Sequence, residues 1–167
     1  MTHERFAALV WLIPDEASQT HLRSLIADLA RPFDAPLFEP HLTLGRVADQ
    51  AFKEIRVETG PITLEAIGIF ASQVFTKTLF LRFAPTPALQ ALRSSLGMNA
   101  GGYDPHLSLL YCKLPSGAGK RLAASIGLAL DRITFDRFCV VCCPDPTTTR
   151  EEVEVWERLS SGVLAGA

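Results

Sequence analysis

Hydrophobic and polar positions along the chain follow two different periods, which predicts a mixture of strands and helices. Residues 6–13 form a continuous apolar run that Pro14 ends, as expected of a buried strand. From Asp15 or Ser18, either of which can cap a helix, apolar residues recur every three or four positions up to Ala30. Further strands are predicted over 37–47, 62–70, 78–83, 106–111, 133–143 and 153–159, and further helices over 51–56, 87–96 and 116–130.

The order of these elements repeats within the chain. A strand, a helix and then a strand that begins with acid-Pro-His occur in the first half, and the same order occurs again in the second. No linker-like segment separates the two halves. Residues 1–167 are therefore predicted to form a single α+β domain built from two similar halves.

Two six-residue segments carry this repeat most clearly. They read Glu-Pro-His-Leu-Thr-Leu at 39–44, here the first hexad, and Asp-Pro-His-Leu-Ser-Leu at 104–109, the second hexad. A single His followed two positions later by a hydroxyl residue is a weak signal. A match over six positions, which includes two of the four His in the chain, indicates that the two segments share a function.

The alternation of side chains along a strand suggests what the hexads do. His41 and Thr43 project from one face and the leucines from the other, and His106 and Ser108 follow the same rule. If the two strands pack side by side, two imidazoles and two hydroxyls line one cleft. Hydroxyls can donate to phosphate oxygens, a neutral imidazole can deprotonate water, and an imidazolium can protonate a leaving alkoxide. This set predicts cleavage of a phosphodiester without a metal ion.

Composition and charge narrow the class of protein. With 48% hydrophobic and 20% charged residues, the 167-residue chain is too apolar for disorder. A net charge of −2 argues against binding of long nucleic acid, although a small anionic ligand remains possible. The apolar run at 6–13 is too short to span a bilayer, so we expect no membrane association.

The four cysteines do not form a metal-binding pattern. Cys139 and Cys142 lie three apart in a predicted strand and so point to opposite faces, which disfavours a zinc site. With Cys112 and Cys143 also in apolar stretches, we expect buried reduced thiols in a cytoplasmic protein. A redox role for a pair of them remains open.

These residues resemble those of the two-histidine (2H) phosphoesterases, and within them the plant-type cyclic nucleotide phosphodiesterases. The resemblance implies a bilobal fold, with two pseudo-symmetric lobes, each an antiparallel sheet with outer helices, around a central cleft. It also implies hydrolysis of nucleoside 2′,3′-cyclic phosphates or of ADP-ribose 1″,2″-cyclic phosphate, with no cofactor. The segments that carry it are 10–16, the two hexads, 103–111 and Trp156.

The resemblance assigns roles to the hexad residues. His41 and His106 become the catalytic pair, and Thr43 and Ser108 hold the phosphate. It favours His106 as the base toward water and His41 as the acid, whereas the nearly symmetric hexads cannot distinguish the two. It further implies that the 3′ oxygen leaves, so that the product is a nucleoside 2′-phosphate.

Three more residues are candidates for substrate contact. Trp11 and Tyr111 are expected to be aromatic walls of the cleft, although Trp11 fits equally well as a core aromatic of its strand. Lys77, at the start of a strand, is a candidate substrate ligand or simply a solvated side chain. The chain shows no match to the family at 72–77 and 144–152, which leaves the choice of substrate open.

The partner expected is a small cyclic nucleotide or another cyclic phosphate, bound by a monomer. The sequence is also compatible with two other functions. One is a 2H phosphoesterase that acts on RNA ends or 2′-5′ linkages. The other is a nucleotide-binding module without turnover, which the presence of both His and both hydroxyls disfavours.

Overall fold

A computed structural model describes residues 5–48, 55–127 and 129–166. The chain folds into seven strands and four α-helices, with two single-turn 3-10 helices at Arg31–Phe33 and Phe75–Lys77 in the described part. The strands are β1 (Phe6–Pro14), β2 (Leu42–Val47), β3 (Ile62–Ala71), β4 (Leu79–Phe83), β5 (His106–Leu110), β6 (Arg132–Pro144) and β7 (Glu157–Val163). The α-helices are α1 (Glu16–Ala30), α2 (Pro87–Ser95), α3 (Ala118–Ser125) and α4 (Arg150–Glu154).

Most predicted elements are confirmed to within one or two residues. Asp15 caps α1, as one of the two predicted candidates, by accepting a hydrogen bond from the Ser18 backbone amide. Pro87 begins α2 with the Thr86 hydroxyl as its cap. The short helix predicted over 51–56 lies mostly outside the described residues.

Three predicted boundaries are wrong. The strand predicted over 37–47 begins only at Leu42, because Pro40 cannot donate to a strand ladder. The helix predicted over 116–130 ends at Ser125, just before an extended residue and Gly127. Residues 153–159 are divided between α4 and β7, because the Thr149 hydroxyl caps a helical turn by accepting from the Glu152 amide.

All strand pairs are antiparallel, and they connect the two lobes into one sheet. The strand order is β1-β2-β5-β4-β3-β6-β7, and an additional pairing of β1 with β6 closes a ring of six strands. Strand β6 makes this closure possible, because it pairs with β3 up to Phe135 and with β1 from there onward. The first lobe thus holds β1, β2, β7 and most of β6, and the second holds β3, β4, β5 and the start of β6. The α+β class with two antiparallel lobes is confirmed.

The main core lies between the sheet and the helices. The four hexad leucines are fully buried there, together with Val10 and Leu12 of β1 and Leu22 and Ile26 of α1. Strand β1 is also apolar on its other face, where Trp11 and Ile13 contact Cys139 and Val141 in a second, smaller cluster. This second face is the one that meets the cleft. Over the described ranges, no helix is long and apolar enough to cross a bilayer.

Candidate active site

The two hexads meet where the lobes join. Strands β2 and β5 pair through Leu42 and Leu107. Because the strands are antiparallel, this register places the first His across from Ser108 and the second His across from Thr43. The four predicted side chains together line one cavity of about 160 Å3. The structure therefore brings together the residues that the repeated hexads singled out.

Each imidazole is oriented by a backbone carbonyl two residues earlier. His41 Nδ1 lies 2.6 Å from the Glu39 carbonyl oxygen, and His106 Nδ1 lies 2.8 Å from that of Asp104. A carbonyl can only accept, so Nδ1 carries a proton in both rings. Nε2 is left in each ring to exchange protons, as general acid-base catalysis requires.

The carboxylates of the same two acidic residues form ion pairs. Glu39 pairs with Arg158 and, at 3.6 Å, with Arg23. Asp104 pairs with Lys77 at 2.8 Å and with Arg82 at 2.9 Å. The acidic residue therefore has the same two contacts in both lobes. Its carboxylate fixes the turn through ion pairs, and its backbone carbonyl orients the imidazole.

Burial keeps both imidazoles neutral near neutral pH. Desolvation lowers the pKa of His41 to about 4, opposed by the hydrogen bond to the Glu39 carbonyl, and the neighbouring second His lowers it further. The pKa of His106 is also lowered, first by burial and then by the charges of Lys77 and Arg82, against the Asp104 carbonyl. The two rings therefore differ in environment although their local sequences match.

The two hydroxyls are in different states. Ser108 Oγ donates to the Thr76 carbonyl oxygen at 2.6 Å. The hydroxyl of Thr43 makes no hydrogen bond within the described ranges, while its backbone carbonyl accepts from Tyr103 Oη at 2.8 Å. Thr43 can therefore donate to a ligand directly, whereas Ser108 must first release Thr76.

Both predicted aromatic walls line the cavity, and each also packs against another ring. Trp11 lies flat on His41 with ring centroids 3.6 Å apart, and Tyr111 lies flat on Phe38 at 3.7 Å. Trp156 contacts the edges of three of these rings. Trp11 is only 4% exposed and Tyr111 only 2% exposed, so neither offers an open surface on which a base could stack. Together with Phe38 and Trp156, they form an aromatic box around His41. Burial raises the pKa of Tyr111.

Lys77 lies outside the cavity wall. Its ammonium group is held by Asp104 and lies 4.6 Å from the centre of the Phe80 ring. Phe80 in turn contacts the edge of His106. The structure therefore places Lys77 behind the second imidazole, and a direct contact with substrate stays a prediction.

Sequence reasoning did not identify four polar or aromatic wall residues as part of the site: Thr76, Asp145, Thr147 and Trp156. Three of them belong to 72–77 and 144–152, the two segments without a family match. Thr147 Oγ1 accepts from the Trp156 indole at 3.2 Å, which fixes that ring. A repeat search could not find these residues, because neither segment has a copy in the other half.

The cysteines do not assemble a metal site. Over the described ranges, no group of three or more His, Cys, Asp or Glu side chains is placed to hold a metal ion. Cys139 and Cys143 are buried free thiols, and desolvation raises their pKa to about 11 and about 12. Cys112 and Cys142 are half-buried.

Comparison with known proteins extends the resemblance. No family model matches the chain. The chain is 26% identical to the cyclic phosphodiesterase of Arabidopsis thaliana in an alignment 170 positions long, which covers 90% of this chain and 91% of that protein.

Solved structures share the fold. Escherichia coli LigT complexed with ATP matches with a TM-score of 0.61 and 17% identity, over 96% of this chain and 98% of that chain. LigT complexed with 3′-AMP matches at 0.60 with 15% identity, over 96% and 99% of the two chains. The protein TT0787 of Thermus thermophilus matches at 0.58, also with 15% identity, over 96% and 98%.

Proposed function

We propose that this chain is a two-histidine phosphoesterase and that it hydrolyses a small cyclic phosphodiester without a metal ion. Its 26% identity to a cyclic phosphodiesterase and the fold it shares with LigT support this proposal. The substrates proposed are nucleoside 2′,3′-cyclic phosphates, opened to 2′-phosphates, and ADP-ribose 1″,2″-cyclic phosphate, opened to ADP-ribose 1″-phosphate. We further propose that the protein acts as a cytoplasmic monomer.

One observation carries the proposal. The β2–β5 register sets two imidazoles and two hydroxyls around one cavity, and each imidazole has its Nδ1 bound to a carbonyl. A phosphate at the centre can then accept from Thr43 and Ser108 while both Nε2 atoms remain available for proton transfer.

The proton steps divide between the two rings. His106 is the more exposed of the two, which suits a base that must deprotonate a water molecule. His41 protonates the leaving alkoxide, and its low pKa makes the imidazolium a strong acid. Since that ring is neutral in the free protein, the bound phosphate must supply the negative charge that lets it take up a proton.

The cavity favours a small substrate over the other candidates. Neither Lys nor Arg occurs among the described residues that line it, so nothing there would follow the phosphates of a long RNA. LigT has been solved with ATP and with 3′-AMP, which is consistent with a nucleotide in a cleft of this shape. A non-catalytic module would not need both His to be held in the same orientation.

A panel of cyclic phosphates followed by phosphorus NMR tests the proposal. We expect hydrolysis of adenosine 2′,3′-cyclic phosphate or of ADP-ribose 1″,2″-cyclic phosphate. Because fixed placement of the ribose lets the acid reach only one oxygen, the nucleoside product should be the 2′-phosphate alone. Exclusive formation of the 3′-phosphate would contradict the proposed leaving group, and no turnover of any member would contradict the function.

A further inference from the structure

The wall of the catalytic cavity has an unexpected charge for a phosphate site. Among the described residues that line it, Asp145 is the single carboxylate, and neither Lys nor Arg is present. The two imidazoles are neutral in the free protein, because burial lowers the pKa of both. An anionic substrate therefore meets a fixed negative charge instead of the cationic clamp usual for phosphates.

Asp145 lies at the mouth of the cavity. It directly follows β6, and its backbone amide donates to the Arg5 carbonyl oxygen at 2.7 Å, which holds the turn against the chain before β1. Its carboxylate lies 3.5 Å from the guanidinium of Arg46, and both side chains are about half exposed. Arg46 pairs across the sheet with Leu9, a wall residue, so it stands on the cavity face.

The proposed reaction changes the charge of its ligand. A cyclic diester carries one negative charge, whereas the monoester formed by hydrolysis has a second pKa of about 6 and carries close to two at neutral pH. A carboxylate at the mouth repels the product more than the substrate. Arg46 offsets only part of this repulsion, because Asp145 lines the cavity whereas Arg46 does not, and their half-exposed ion pair is weakened by water.

We propose that Asp145, held with Arg46 at the cavity mouth, is a specificity determinant that selects singly charged cyclic diesters over doubly charged phosphomonoesters. This assignment rests on the proposed function and deepens it. It names the charge class of the substrate, and it gives residues 144–152 a role in product release. The opposing charge matters less for the substrate, whose single charge is met by Thr43, Ser108 and the imidazole that takes up a proton.

The test compares two ligands on one set of variants at low ionic strength and pH 7.5. The ligands are adenosine 2′,3′-cyclic phosphate as substrate and adenosine 2′-phosphate as competitive inhibitor. In Asp145→Asn we expect the inhibition constant of the 2′-phosphate to fall about fivefold and the KM of the cyclic substrate to fall twofold or less. In Arg46→Gln the inhibition constant should rise.

A matched control removes the same charge elsewhere. Asp28 forms an exposed ion pair with Arg31 on α1, outside the cavity, so Asp28→Asn should change neither constant. At pH 5 the 2′-phosphate carries about one charge, so Asp145→Asn should then change the inhibition constant and the KM by similar factors. A change of fold alone would not produce this pH dependence.

Two results would overturn the assignment: equal shifts of KM and inhibition constant in Asp145→Asn, or an unchanged inhibition constant. The proposed function can fail separately. If the wild-type protein does not hydrolyse the cyclic phosphate, both ligands remain intact when bound. Calorimetry then gives a dissociation constant for each ligand, and the ratio of the two constants in Asp145→Asn and in the wild type decides the role of Asp145.

Discussion

The two hexads have nearly the same sequence and bind their imidazoles in the same way, through the carbonyl two residues earlier, yet the two imidazoles lie in different surroundings. His41 is enclosed by Trp11 and Trp156, and its pKa falls to about 4 because burial dominates. His106 is more exposed, touches one aromatic edge, and has the charges of Lys77 and Arg82 behind it. The hexads thus set the orientation of the two rings, while residues outside the hexads set the pKa of each ring.

This division is what the proposed reaction requires of a nearly symmetric scaffold. Acid and base need the same geometry, an Nε2 near the phosphate, but opposite protonation states. The geometry comes from the carbonyls of Glu39 and Asp104, which the hexads encode twice. The two rings differ in burial, because among the described residues the aromatic box around His41 has no counterpart around His106.

Removing either imidazole should have the largest effect. We expect His41→Ala and His106→Ala each to lower kcat by at least about 100-fold while circular dichroism shows a folded protein. An aryl phosphodiester such as bis(p-nitrophenyl) phosphate has a leaving group that needs no acid. On it, the loss in His41→Ala should be much smaller than that in His106→Ala. The opposite pattern would exchange the acid and base roles.

The aromatic box should control the pH dependence of activity. One ring must be protonated and the other neutral, so kcat/KM should be bell-shaped, with its maximum between about pH 4 and pH 6.5. Trp11→Leu admits water to His41 and raises its pKa, so the acidic limb should move up by about one pH unit. Because the imidazole also loses the ring that holds it in place, kcat should fall about tenfold. An unmoved limb would show that stacking does not set this pKa.

Two variants sharpen the pH comparison. Trp11→Phe keeps an aromatic face over His41 and should restore most of the wild-type profile. Phe80→Leu removes the ring beside His106 instead, and it should leave the acidic limb where it is. A shift of the same limb in Phe80→Leu would mean that the two imidazoles titrate as one unit, without separate control by each lobe.

Lys77 should have a smaller effect. Its charge contributes to the lowered pKa of His106, so Lys77→Met should raise the alkaline limb by a few tenths of a pH unit and change kcat by less than about threefold. Arg23, which pairs with Glu39 in the other lobe, offers a matched Arg23→Met control that leaves this limb unchanged. A KM increase above tenfold with no limb shift would instead make Lys77 a substrate ligand.

Chelation should have no effect at all. The proposed proton transfers use two imidazoles and need no Lewis acid, so turnover after EDTA treatment should equal that before. Measurement of the rate before and after dialysis against EDTA checks this. Loss of activity that zinc or manganese restores would contradict the two-histidine mechanism.

The hexads could be predicted because their information is local. Alternation alone placed His41 with Thr43 on one face and the buried leucines on the other, and Asp15 was a recognisable cap. The partners of Glu39 show the limit of this approach, because Arg158 lies 119 residues away along the chain. Asp145 was missed for the same reason, since only the folding of β6 against β1 carries its loop to the cavity.

Strand β6 also has a consequence for how the protein folds. This strand pairs with β3 at one end and with β1 at the other. Neither half of the internal repeat can therefore complete its sheet before residues 132–144 have been synthesised. Contacts so distant along the chain lengthen the search for the native topology and slow folding. A chain cut between its two hexads should therefore not give two stable fragments, although each would carry a full copy of the repeated motif.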